Sequence, residues 1–228
     1  MSGANPPAAT GAASTDPAAN GVLDRRGKGG ASVFAAHQVT DFEAFKKFFE
    51  DGAAEREQAG VKGHLLTHLD DGRVVIHLFA DDLNALKLTL DSPRLQEYLK
   101  RPGGPDASAI WLAYDELIQL PAKPPEEKTF SLYYRLNVVD LPALRNGFVS
   151  NQALFREHGV VASSLQLGVD RSDLAFLHFM GTSRQKLEEL TKRPEFLDWL
   201  GTRGTPEPPQ SFIGEDVSRS RTYYSNFK

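Results

Sequence analysis

Two histidines stand in matching apolar runs, His77 in IHLF and His178 in LHFM. Side chains alternate across a strand, so Val75, His77 and Phe79 share one face while Val74, Ile76 and Leu78 share the other. An imidazole with a pKa near 6.5 on such a face can serve as general base toward a phenol or an acidic carbon. His77 and His178 are therefore the candidate catalytic residues. The competing reading is a pair of histidines hydrogen-bonded across a sheet without a chemical role.

His64 and His68 flank Leu66 on one face of the preceding run, VKGHLLTHL. With His77 on the next antiparallel strand, three imidazoles can cluster. The corresponding positions later in the chain are Ser163 and Leu167, so any cluster belongs to the first copy. No metal site is expected, and His64 and His68 are read as ligand-facing. Tyr133, Arg135 and Asn137 alternate on one face of another run, opposite Leu132, Tyr134, Leu136 and Val138. An Arg, a Tyr and an Asn inside an apolar lumen would suit an anionic or enolic ligand; otherwise they join two sheets by hydrogen bonds. Trp111, matched by Phe212, is expected to wall the same space. Tyr98 and Trp199 read as core, and His37 and His158 as incidental.

Composition narrows the classes. The 228 residues carry a net charge of −4 and no basic stripe interleaved with aromatics, which argues against a generic nucleic-acid binder. The absence of cysteine excludes disulfides, thiolate catalysis, iron–sulfur clusters and cysteine-ligated zinc. No apolar run approaches the ~18 residues a membrane span needs. Residues 1–31 are rich in Ala, Gly, Pro and Ser, and the first basic residues are Arg25 and Arg26. They are expected to be a disordered tail rather than a secretory signal, with a cytoplasmic protein as the default. A Pro-rich linker is expected at 121–128 and a C-terminal tail at 219–228, where Arg219, Arg221, Tyr223 and Tyr224 lie.

The elements that position these residues occur twice. Sliding the chain by 99 residues superposes Ser32, Val39, Asp41, Ala44 and Phe49 on Ser131, Val138, Asp140, Ala143 and Phe148. After a two-residue insertion, a slide of 101 superposes His77 on His178, Leu86 on Leu187 and Pro93 on Pro194. The insertion falls where Asp70-Asp71-Gly72 meets Val169–Ser172, which is turn chemistry in both copies. Each copy reads strand, helix, strand, strand, helix, strand, the ferredoxin-like order. The expected fold is α+β: two tandem βαββαβ repeats, residues 32–120 and 129–218, whose antiparallel sheets pack face to face as an intramolecular barrel. A single such sheet would leave one face bare, so one chain should close the barrel by itself, with any homodimer optional.

The run VTDFEAFKKFF…AGVKGHLLTHLDDGRVVIHLFADDLNALKLTLDSPRLQEYLKRPG, echoed by HGVVASSL, HFMGT and RPEFLDWL, resembles the dimeric α/β-barrel proteins, in particular their antibiotic-biosynthesis-monooxygenase-like branch. The resemblance spans Ser32 to about Val217, and its motifs are chiefly structural. It implies a small enzyme of secondary metabolism, a cofactor-independent oxygenase or cyclase acting on a polyketide-like or aromatic small molecule. The alternative is a non-catalytic ligand-binding or assembly protein of the same fold. Haem-handling relatives also use doubled chains, but their ligand histidines generally come from helices, whereas His77 and His178 read as strand residues. No cofactor is expected.

Overall fold

The computed structural model describes residues 14–100, 110–121, 125–201 and 210–220. The first repeat runs β2 (Ala31–Gln38), α1 (Phe42–Asp51), α2 (Ala53–Gln58), β3 (Val61–Leu69), β4 (Arg73–Ala80), α3 (Leu83–Leu90), α4 (Pro93–Leu99) and β5 (Ile110–Gln119). The second repeats it as β6 (Phe130–Asn137), α5 (Leu141–Ser150), α6 (Gln152–Glu157), β7 (Val160–Gly168), β8 (Leu174–Gly181), α7 (Arg184–Leu190), α8 (Pro194–Gly201) and β9 (Gln210–Arg219). The same local chemistry starts the first helix of each copy. The Asp41 carboxylate accepts from the Ala44 N–H at 3.0 Å, and Asp140 accepts from Ala143 at 2.9 Å. Each helix is then interrupted at an equivalent place, Gly52 or Asn151.

The strands form one closed antiparallel barrel in the order β5-β2-β4-β3-β9-β6-β8-β7, with β7 returning to β5. The two sheets therefore face each other across the interior and are also joined edge to edge, β3 to β9 and β7 to β5. Closure leaves neither repeat an open strand edge in the barrel. Even the irregularities are duplicated. Register shifts skip Lys62 and Val161 on the second strands, and Glu116 and Val217 on the fourth. Bulges at sheet corners bend strands toward closure.

Composition places residues 1–31 in an unstructured tail, yet the structure orders part of that stretch. A short turn at Ala18–Asn20 leads into β1 (Val22–Asp24), which pairs with residues 117–119 of β5. The reason is an edge: β5 extends past its pairing with β2, which ends at Tyr114, and β1 covers the overhang while burying Val22. Residues 1–13, the middle of the Pro-rich linker and the tail after Ser220, with Arg221, Tyr223 and Tyr224, lie outside the described residues. Arg219 belongs to β9. Among the described residues no helix is long and apolar enough to cross a membrane.

Candidate functional site

Inward-facing residues fill the barrel. His77 and His178 point to its axis, almost fully buried, with ring centroids 5.5 Å apart. His77 stacks on Phe34 and His178 on Tyr133, at 4.3 and 4.7 Å, and Phe34 stacks on Phe176 at 4.9 Å. Leu65, Phe79, Ala162 and Met180 close one end, and Leu69, Val75, Ala113 and Leu174 fill the other. The cavities left inside measure about 10 Å³ beside the histidines and about 20 Å³ beside Trp111 and Arg135. That is room for roughly one water each. Among the described residues neither of these two cavities is of substrate size.

A duplicated polar network holds the two imidazoles. Ser32 Oγ donates to Asp115 Oδ1 at 2.9 Å, so the His77 Nε2–H, at 3.2 Å, donates to that serine. In the second copy His178 Nε2 lies 2.9 Å from Ser131 Oγ. Asp216, the counterpart of Asp115, accepts from Thr67 Oγ1 at 2.8 Å, and Thr67 in turn takes the Tyr133 hydroxyl at 3.0 Å. Burial keeps both histidines neutral: it pushes His178 down to about 3, and His77, also facing His178, well below its ordinary value. Burial raises both carboxyls to about 6, and one oxygen of each has no partner among the described residues. Neither aspartate stood out in the sequence reading. The signal was available, because Asp115 and Asp216 superpose at the slide of 101 that superposes the histidines.

Other sequence-derived candidates are dispersed. His64 and His68 do not join His77, because the β3–β4 register sets Leu65, not His64, opposite His77. They sit on the helix side instead, where His68 stacks on Phe42 at 4.0 Å and His64 packs edge-on against Phe49. Among the described residues no three metal-ligating side chains come together. Tyr133 is buried inside the barrel, whereas Arg135 lies over Trp111 at 5.3 Å and Asn137 accepts from Arg171 near the surface. Tyr133 and Arg135 do line one small cavity together with Trp111, of about 20 Å³, and Asn137 does not reach it.

An apolar cavity of about 80 Å³ lies outside the barrel, between the first repeat's sheet and its helices. A shallower groove between α5 and α8 is open to solvent. The apolar cavity is walled by Val33, Ala35, Ile76 and Leu78 from the strands and by Phe45, Phe49, Leu90 and Leu95 from the helices. Polar side chains border it as well: His37, Arg56, Arg94 and Tyr98, with Glu55, Thr89 and Ser92 at the edge. His37 Nε2 lies 3.2 Å from the Tyr98 hydroxyl, and burial pushes its imidazole down to about 4. His37 Nδ1, Arg56 Nη2 and Arg94 Nε are buried without a hydrogen-bond partner among the described residues. Buried polar groups are normally paired, so three orphans around one cavity mark a place for a ligand.

The second repeat shows what a filled version of this space looks like. Where the first copy has Ala35, His37, Arg56, Leu95 and Tyr98, the second has Tyr134, Leu136, Phe155, Phe196 and Trp199. Phe155 and Phe196 are fully buried, and Phe155 sits 5.0–6.2 Å from the rings of Phe148, Phe179, Phe196 and Trp199. One copy is solid core and the other is hollow and polar at matched positions. His37, which reads as incidental in the sequence, and Tyr98, which reads as core, thus belong to the candidate site. A position-by-position comparison of the copies would have found them. The cavity does not fit haem: it is too small for a macrocycle, and its only histidine already holds Tyr98 through one ring nitrogen.

No family model matches the chain, and no curated protein sequence matches it. Solved structures do. A candidate monooxygenase from Fusobacterium nucleatum superposes at a TM-score of 0.64 and 11% identity, covering 85% of this chain and 95% of that one. An anthrone oxidase-like protein gives 0.63 and 13%, covering 87% and 95%. A candidate chlorite dismutase gives 0.57 and 10%, covering 83% and 94%. At such identities the likeness is one of fold: the chain is built like the monooxygenase-like and chlorite dismutase-like α/β-barrel proteins, with both ferredoxin-like halves in a single polypeptide.

Proposed function

We propose that the first repeat's helix–sheet cavity, about 80 Å³ and partly open, receives the reacting ring of an aromatic or polyketide-like small molecule, the remainder lying in its mouth, and oxygenates or cyclises it without a cofactor. The observation that carries this reading is the hollow itself, lined by apolar walls and orphaned polar groups where the second repeat is packed with aromatic rings. An apolar cavity with a few convergent polar groups is the usual form of a small-molecule site. The anthrone oxidase-like neighbour makes oxygenation of a tricyclic phenol-type substrate the favoured chemistry.

In this reading His37 donates Nε2–H to the Tyr98 oxygen and presents its Nδ1 lone pair to the ligand. The depressed pKa keeps the imidazole unprotonated near neutral pH, ready to accept a proton from an acidic carbon. The resulting carbanion passes an electron to dioxygen, the two radicals join as a peroxide, and loss of water leaves a carbonyl. In sum, CH₂ plus O₂ gives C=O plus H₂O. His77 and His178 then serve the barrel as packing and hydrogen-bonding residues, not as the base.

The test is oxygen uptake by the purified protein with anthrone near neutral pH, chelator present, buffer autoxidation subtracted. Uptake of one O₂ per anthraquinone formed, reduced about 10²-fold or more in His37→Gln, is the expected result. Binding of anthrone without uptake would leave a non-catalytic ligand carrier. Neither uptake nor binding would overturn the assignment of this cavity.

A further inference from the structure

Resting on that assignment of the cavity, we infer that its ligand carries an anionic group, a carboxylate or enolate, held by Arg56 and Arg94. The two guanidiniums meet where α1 ends. Arg56 Nη1 donates to the Phe49 carbonyl at 2.7 Å and Arg94 Nη2 to the Phe48 carbonyl at 2.8 Å. Each lies over the ring of the same residue, at 3.9 and 4.6 Å. These contacts fix the planes of both side chains and leave Arg56 Nη2 and Arg94 Nε as donors without acceptors.

Among the described residues neither arginine has an ion-pair partner, whereas six others do, four of them with a carboxylate two residues away. Glu55 and Glu57 act on Arg56 only at longer range, while Arg94 repels it. Two like charges brought together in a half-buried place, with no carboxylate paired to either among the described residues, are costly unless an anion joins them. A planar guanidinium with free N–H donors is also the group best suited to a carboxylate.

The sequence supports this as a built feature. A Cβ at position 52 would stand 3.0 Å from Arg56 Nη1 and 3.2 Å from Arg94 Nε, so Gly52 makes the room in which the two meet. The second repeat lacks all three, having Asn151, Phe155 and Glu195 at the matched positions. The pair therefore accompanies the hollow and is absent from the filled copy.

The experiment measures binding of naphthalene-2-carboxylate and of its neutral isostere, naphthalene-2-carboxamide, to the full chain. The wild type should bind the carboxylate at least tenfold more tightly. Arg56→Gln and Arg94→Gln should each lose that preference while still binding the carboxamide, and Arg56→Lys should keep part of it. If either glutamine variant unfolds, as judged by its melting temperature, the carboxylate preference of the wild type and its weakening by added salt still decide the matter. Equal binding of both probes by the wild type would overturn the anion inference and leave the cavity assignment standing. Binding of neither would overturn both.

Discussion

His77 and His178 stand ring to ring at the barrel axis, 5.5 Å apart and nearly perpendicular, each held by the serine at the equivalent place in its own repeat. The pair links two copies of one network, Ser32–His77–Asp115 and Ser131–His178–Asp216. With the interior packed around it, we propose that this network belongs to the scaffold, with its protonation coupled to folding.

That coupling has a definite sign. His37, His64, His77 and His178 all have folded-state pKa values below the ordinary 6.5, with desolvation the largest cause. The unfolded chain therefore binds more protons, and stability is lost as pH falls below about 6.5. Asp115 and Asp216 act oppositely, since their raised values favour the folded state as pH falls from about 6 toward 4. Four groups outweigh two. Urea melts should show stability falling by ~2–3 kcal/mol per pH unit between pH 6 and 4, from about two protons net. A flat profile would contradict the burial of the histidines.

Asp115→Asn isolates the opposing contribution. The amide oxygen can still accept from Ser32, and the buried charge is gone. Relative to the wild type, the variant should gain stability as pH rises from 5 to 8, by ~1.4 kcal/mol, because the folded-state value of about 6 lies one unit above the start of that range. The check is the difference between the two melting curves at each pH.

The fold was legible in the sequence because duplication shows every structural signal twice. Asp41 and Asp140 mark the helix starts, Gly60 and Gly159 the helix stops, and Asp70–Gly72 the hairpin in which the repeats differ in length. The site was less legible. Matching His77 to His178 picks out what both copies need, and both need a barrel. A site present in one copy shows itself as difference: Arg56 against Phe155, His37 against Leu136, Leu95 against Phe196. The β3–β4 register that parts His64 from His77 is set by the Asp70–Gly72 hairpin, from which pairing runs unbroken from His68–Val74 to His64–Leu78, and alternation within each strand alone does not say which faces of two strands coincide. Order in β1 was hidden for a similar reason, since Val22 is held by the overhang of a strand some ninety residues later.

Filling the hollow should trade binding for stability. Leu95→Phe copies Phe196 of the second repeat into the cavity wall. It should raise stability by ~0.5–2 kcal/mol and abolish binding of naphthalene-2-carboxylate, as read by thermal melts and titration. In the second repeat Phe155→Ala should instead cost ~3–5 kcal/mol, because Phe155 is fully buried among four aromatic rings.

Half of the chain should not be a stable monomer. Residues 32–120 alone would expose the edges of β3 and β5, which β9 and β7 cover in the intact barrel, along with the interior face of the sheet. Size-exclusion chromatography should find a dimer or aggregate. A folded, soluble monomer would contradict the mutual closure of the repeats.

The most direct test of where the ligand binds is a methyl NMR titration with naphthalene-2-carboxylate. Shifts are expected at Ala35, Ile76, Leu90, Leu95 and Ile110, which line the first repeat's cavity, while Leu65, Ala162 and Met180 inside the barrel stay unmoved. Shifts concentrated at the barrel methyls, or none at the cavity methyls at saturating probe, would contradict the account.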